Sequence, residues 1–257
     1  LAAAMAWQAA PGRFLWHGGT RSGRFLVEDG CRVTLQRNPK AEEELLAFHF
    51  LDAVLAAILR QRGLLVLHAN AAVTPAGAVA ISGPSGAGKS TTVAALVAHS
   101  SAMLTDDITA LRLGPAGHVE VLPGMPQLHL CDDAAAGLGQ DIAGLPRQQW
   151  RRLKTAVPVA VAPAAAPLRA LYLLETHTDA HVRVAALTGS DKFVAVQECI
   201  YGPLLPEEHP GQFALFAAVV EAVTRKDLGA AAQFLELPAD PRARLAVLLA
   251  HVEAHED

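Results

Sequence analysis

Gly83-Pro84-Ser85-Gly86-Ala87-Gly88-Lys89-Ser90 fits the spacing G-x-x-x-x-G-K-[ST] and sets the terms for the rest of the chain. Glycines let the backbone wrap tightly, so that successive N–H groups point inward as an anion nest. A helix starting at the end of such a loop adds the partial positive charge of its N-terminus. Lys89 brings an ammonium to the β- and γ-phosphates, and the Ser90 hydroxyl is placed to ligate Mg²⁺. The expected nucleotide contacts are Gly83, Ser85, Gly86, Ala87, Gly88, Lys89, Ser90 and Thr91. The flanks agree: Ala78-Val79-Ala80-Ile81-Ser82 is an apolar run before the loop, and Ser90 to Ala98 reads as the following helix.

Outward from the loop, Ala102-Met103-Leu104-Thr105 reads as a strand that delivers Asp106 and Asp107 at its carboxyl end. At a strand end both carboxylates reach one cleft. One can hold Mg²⁺ directly or through water, and the other can orient or deprotonate a nucleophilic hydroxyl. Ile108–Leu113 and His118–Leu122, around Gly114-Pro115-Ala116-Gly117, read as an antiparallel hairpin. On the other side, Leu64–Ala69 reads as a strand with His68 near its end, close to the phosphates if that strand neighbours the loop strand.

The beginning of the chain reads differently. Short apolar runs between Gly18-Gly19, Ser22-Gly23 and Glu28-Asp29-Gly30 predict a small β-rich unit over the first forty or so residues. Leu45, Phe48, Leu51, Leu55 and Leu59 predict a helix over 41–62, stopped by Gly63. Later, 123–150 reads as irregular with a short helix near 132–138, followed by the basic residues Arg147, Arg151, Arg152 and Lys154. Leu168–Glu175 and His181–Leu187 read as an antiparallel pair, 211–224 as a helix, Ala232–Leu237 as a late strand, and the segment from Asp240-Pro241 as a final helix. The remaining histidines are scattered without metal spacing, and His177 and His181 flank a turn.

Composition sets limits. With 257 residues the chain is long enough to bury roughly three quarters of its unfolded surface without staples. A net charge of −4 argues against nucleic acid as the main partner. Three well-separated cysteines without C-x-x-C suit a reducing compartment, so a cytoplasmic location is expected. The most apolar stretch, 156–174, contains Pro158, Pro163, Pro167 and Arg169 and reads as strands and turns rather than a membrane span.

"LHANAAV" (67–73), "GPSGAGKST" (83–91) and "LTDD" (104–107), followed by a hairpin, together resemble the catalytic domain of HPr kinase/phosphorylase, which shares a fold with ATP-dependent phosphoenolpyruvate carboxykinase. The match is good over about residues 64–130. "QRGLLVLHA" (61–69) also resembles the HPr-kinase-related enzymes of bacterial peptide gene clusters, including lasso-peptide kinases that phosphorylate a precursor's C-terminal serine.

The resemblance implies an α/β fold with a P-loop-containing mixed sheet of that type and a small β-rich N-terminal unit. Its implied boundaries are 1–62 for the N-terminal unit plus helix and 63–257 for the kinase domain. It implies an ATP- and Mg²⁺-dependent serine kinase acting on a peptide or small protein. Carried over, Asp106 would be the base with His68 in support; read from the residues themselves, Lys89 of the loop and Lys154 of the basic cluster, able to reach the triphosphate or the acceptor, complete the catalytic set. The metal would be held by Ser90, Asp107 and Asp132, with the roles of Asp106 and Asp107 exchangeable.

The pattern departs from the family in three places. Asp132-Asp133 stand near where the family has a glutamate in a glycine-containing signature, Pro84 stands where an acidic residue is common, and the amino-terminal part is short. The alternatives are a bifunctional HPr kinase/phosphorylase and a nucleotide-gated regulatory module without an acceptor. The sequence leaves the oligomeric state open.

Overall fold

Alternation with glycine turns builds the beginning of the chain. In the structure, a computed structural model that describes residues 6–98, 102–115, 117–148, 154–176, 183–202, 210–222 and 232–237, β1 (Ala6–Ala10), β2 (Arg13–His17), β3 (Gly23–Glu28) and β4 (Arg32–Arg37) form an antiparallel meander in that order. Phe25 and Val27 are buried while Arg24 before them is exposed and Leu26 between them is half-buried, as a strand covered on one face requires. The turn at Asp29-Gly30 has positive φ at both residues, 51° and 63°, and leads through Cys31 into β4, a three-residue connection between the paired Glu28 and Arg32.

The helix expected over 41–62 forms in three parts. α1 (Glu43–His49) runs through a π-helical turn at Phe50–Val54 into α2 (Leu55–Gln61), and Gly63 at φ 81° stops it. Leu46, Val54 and Ala57 pack on Phe14, Phe25 and Val27. The extra residue of the π turn is not visible in the hydrophobic spacing. β5 (Leu65–Leu67) follows. The chain divides into two compact units, Leu1–Val66 with Tyr201–Leu215, and Leu67–Ile200 with Phe216–Asp257.

The larger unit is mixed α/β. Its elements are β6 (Ala69–Thr74), β7 (Gly77–Ser82), α3 (Lys89–Ala98), β8 (Ala102–Thr105), β9 (Thr109–Leu113), β10 (Val119–Val121), β11 (Gln127–Leu130), α4 (Asp132–Gly137), β12 (Arg147–Gln148), β13 (Lys154–Pro158), β14 (Ala166–Thr176), β15 (Arg183–Ala186), α5 (Ser190–Glu198), α6 (Pro210–Ala222, which begins in the smaller unit) and β16 (Ala232–Leu237). The main sheet runs β9-β10-β14-β7-β6-β8, with β16 also on β14 and β15 on β16. A small sheet has the order β11-β13-β12. Val93 and Leu96 of α3, Leu128 and Leu130 of β11 and Val157 of β13 share one core with Val79 and Ile81 of β7.

Two strand directions position the site. β7 is antiparallel to β6, and β6 is antiparallel to β8. The carboxyl ends of β7 and β8 and the amino end of β6 therefore share one edge of the sheet.

The expected hairpin after Asp107 forms as β9–β10, with Val119 opposite Leu113. Three expectations need correction. The stretch 123–150 is not simply irregular, because Gln127–Leu130 is a strand paired with β13. β14 and β15 are not paired with each other. β16 lies between them, parallel to β14 and antiparallel to β15, and a parallel partner so distant leaves no local signal. Helix α5 was not anticipated. The final helix from 240, Arg151, Arg152, His177 and His181 lie outside the described residues. Among the described residues no helix is long and apolar enough to cross a membrane.

Candidate functional site

The loop after β7 turns on glycines. Gly83, Gly86 and Gly88 have φ of 144°, 91° and 99°. At Gly83 a Cβ would also lie 2.6 Å from the backbone oxygen of Leu174, so this position admits no side chain. Inside the loop Ala87 N–H donates to the Pro84 carbonyl at 3.1 Å. α3 starts at Lys89, and Thr92 ties its first turn to the Gly88 carbonyl through its N–H and its hydroxyl, both at 2.8 Å. The first N–H groups of a helix have no partner within it, and here they face back to the loop.

Lys89 is buried, and its ammonium donates to the loop's own carbonyls, Gly83 at 2.9 Å and Pro84 at 3.3 Å. Burial lowers its pKa below the ordinary 10.5. The nearby Asp107 charge opposes that shift, and the Lys154 charge adds to it. Lys154, at the start of β13, is thus brought within electrostatic reach of the loop lysine.

At the same edge Asp106 is enclosed, its side chain 3% exposed. Its Oδ1 accepts the Ser90 hydroxyl at 3.1 Å and a short bond from Asn70 Nδ2. Its Oδ2 accepts the His129 backbone N–H at 2.8 Å and pairs with His129 Nδ1 at 2.6 Å. Both oxygens are committed. Asn70 Nδ2 also reaches Ser90 Oγ at 3.1 Å. Asp107 is placed differently: it adopts φ 63°, a left-handed conformation uncommon outside glycine that Asp tolerates better than most residues. That bend turns the chain out of β8 immediately after Asp106. Asp106, Asp107 and His129 each offer a ligand atom, all within 4.8 Å of one another.

Asn70 and His129 are the site residues that the sequence reading missed. Asn70 is the second residue of β6, opposite Ile81, so the antiparallel strand carries it to the loop edge. His129 lies on the outer strand of the small sheet, whose free edge offers its N–H to Asp106. The signals were present. In "HANAAV" an asparagine interrupts an apolar strand, and in "QLHL" a histidine alternates with core leucines. Such polar groups on buried strands need partners.

The other expected residues fall in two places. His68 is at the edge between β5 and β6, its N–H donating to the Cys199 carbonyl at 2.7 Å and its carbonyl accepting Ser82 Oγ at 2.8 Å. Asp132 is not in the cluster. It begins α4, more than half exposed, and is ion-paired with Arg147.

The donor set fits a hard divalent cation. Ser90 Oγ and the carboxylates supply oxygen ligands. Asn70 Oδ1 and His129 Nε2 are buried acceptors without a hydrogen-bond partner among the described residues.

No protein-family model matches the chain, and no curated protein matches it. Among solved structures, the HPr(Ser) kinase/phosphatase from Coxiella burnetii is similar at a TM-score of 0.37 and 15% identity, covering 74% of this chain and 90% of that one. A likeness at that level carries no argument about chemistry, and what the site can do follows from its own geometry.

Proposed function

We propose that the chain is an ATP- and Mg²⁺-dependent serine kinase of the HPr-kinase type, acting on a peptide or small protein, with the C-terminal serine of a lasso-type precursor as the substrate class that its sequence best resembles. One observation carries this reading. A buried lysine folded onto its own loop carbonyls sits beside a serine hydroxyl bonded to a buried carboxylate. The lysine is a cation whose bonds to carbonyls can be exchanged for bonds to phosphate.

The roles follow from which atoms are engaged. The loop N–H groups and the start of α3 bind the phosphates, and Lys89 neutralises charge at the transferred group. Ser90 and Asp106 would hold Mg²⁺, with Asn70 and His129 fixing Asp106. A bound cation would supply further charge neutralisation at the phosphates. Asp106 is fixed by Ser90, Asn70 and His129, a placement suited to a cation ligand shared with Ser90, so of the two exchangeable assignments we take the second, with Asp107 as the base. Asp107 accepts the serine proton as the serine oxygen bonds to the γ-phosphorus, the bridging P–O bond breaks, and ADP leaves. In this reading His68 supports the base, and Lys154, within electrostatic reach of Lys89, adds positive charge beside the loop.

Incubation with γ-labelled ATP, Mg²⁺ and serine-bearing peptides tests the reading. Label on a serine supports it. Release of free phosphate alone would favour a nucleotide-gated module, and reversal by inorganic phosphate a kinase/phosphorylase.

A further inference from the structure

The meander of the smaller unit carries a second feature, which the phosphotransfer reading does not use. Its outward face holds a shallow cleft of about 540 Å³ lined by Gln8, His17, Arg24, Gln36, Arg37 and Asn38, with four further residues between them, none acidic. Cross-strand register explains the grouping. His17 lies opposite Arg24, and Arg24 opposite Gln36, so one row crosses β2, β3 and β4 on a single face. The opposite face of β3 is filled by Phe25 and Val27, so this row stays outward.

The cleft's charge is not cancelled from within. Arg24 is exposed and, like His17, has no hydrogen-bond or ion-pair partner among the described residues. Arg37 follows Gln36 on β4 and so alternates to the side of Phe25, where it pairs with Glu43 at the rim of the cleft. The acidic residue farther along the same face of β3, Glu28, is already shared between Arg13 at 3.3 Å and Arg32 at 4.0 Å. The chain as a whole is net negative, so a cleft without a carboxylate is a local departure from its composition.

We propose that this face of the meander docks an acidic stretch of polypeptide in extended form. The guanidinium fork of Arg24 takes an Asp or Glu carboxylate. Gln8 and Gln36 carry carboxamides, each both donor and acceptor, which match the peptide groups of an extended chain. A small anion offers acceptors only and would leave those carboxamide oxygens facing it. The docking is independent of phosphotransfer, so the two stand or fall separately.

The test uses the whole chain and a fluorescein-labelled peptide alternating Glu and Ser, followed by anisotropy. A matched Gln/Ser peptide, inorganic phosphate and succinate serve as comparisons. The acidic peptide should bind, and added salt should weaken it. Arg24→Glu should weaken it by about tenfold or more, in keeping with loss of a charge-assisted contact. Arg24 is exposed, so circular dichroism of the variant should match the parent. Gln36→Ala should also weaken the acidic peptide, whereas Lys89→Ala should leave its affinity unchanged. Equal binding of the Gln/Ser peptide, no effect of Arg24→Glu, or complete displacement by phosphate or succinate at concentrations equal to the peptide's would each overturn the proposal. Failure of kinase activity would not move these readouts.

Discussion

Replacing His129 by alanine isolates the least expected support of the site. The substitution deletes the 2.6 Å contact between Nδ1 and Asp106 Oδ2, in a pair whose side chains are 5% and 3% exposed. A hydrogen bond to a charged group contributes about 1.5–3 kcal/mol. The backbone N–H of residue 129 still reaches Oδ2 at 2.8 Å, so the carboxylate is not left bare. We expect a loss of about 2–3 kcal/mol, which for a chain of this length lowers the unfolding midpoint by roughly 4–12 °C. A cycle with Asp106→Asn, followed by urea and thermal unfolding, should show a coupling of about 1.5–3 kcal/mol. His129→Asn places an amide nitrogen near the position of Nδ1 and should recover most of the loss, whereas His129→Gln should not. With Asp106 less firmly held, the Mg²⁺ concentration for half-maximal turnover should rise in His129→Ala. Additivity of the two substitutions within about 0.5 kcal/mol would refute the claim that the histidine supports Asp106.

Three further outcomes follow from the same geometry. Asp107→Asn should lower turnover by roughly 10²–10⁴-fold at near-normal nucleotide affinity, while Asp106→Asn should chiefly raise the Mg²⁺ requirement; steady-state kinetics with the pattern reversed would restore Asp106 as the base. Because burial lowers the Lys89 pKa, nucleotide affinity should fall as pH rises through that value, before 10.5 is reached. Over the same window the unfolded chain binds more protons than the folded one, so the nucleotide-free protein should gain stability with pH. Calorimetry on Lys89→Arg, which stays charged, should show no such fall in affinity. Cys31 is exposed, whereas Cys199 is buried and its thiol is pushed up to about 11 by that burial. Mass spectrometry after brief iodoacetamide treatment at neutral pH should therefore find label on Cys31 and not on Cys199, and equal labelling would contradict the packing around Cys199.

What the sequence disclosed was what local chemistry encodes. Gly83 to Ser90, the apolar run before it and the carboxylates after Thr105 are contiguous signals, and the structure gathers the loop, Lys89, Ser90, Asp106 and Asp107 at one sheet edge. The β9–β10 hairpin was visible because its turn residues lie between its strands. Partnership across distance was not legible. Asn70 and His129 reach Asp106 from strands whose register no local pattern states. The division of labour between the two aspartates was open in sequence because adjacent identical residues differ only in backbone angle and neighbours. The expected place of Asp132 failed because its spacing says nothing of which way α4 points, and its charge is met by Arg147 instead.

The direction of β14 bears on the order in which the molecule assembles. β6 and β7 form a hairpin closed at Thr74 and Gly77, and β8 adds to it after a single helix, so one flank of the loop strand is satisfied by nearby chain. The other flank waits for β14, whose Leu168 pairs with Ala78 across everything from α3 to β13. Closing so long a loop is entropically slow. During synthesis from the amino end, β7, an apolar strand buried along its whole length in the finished protein, therefore has an open edge until residue 176 has emerged. A ribosome-bound chain truncated before β14 should be prone to self-association, and one extended past it should be protected.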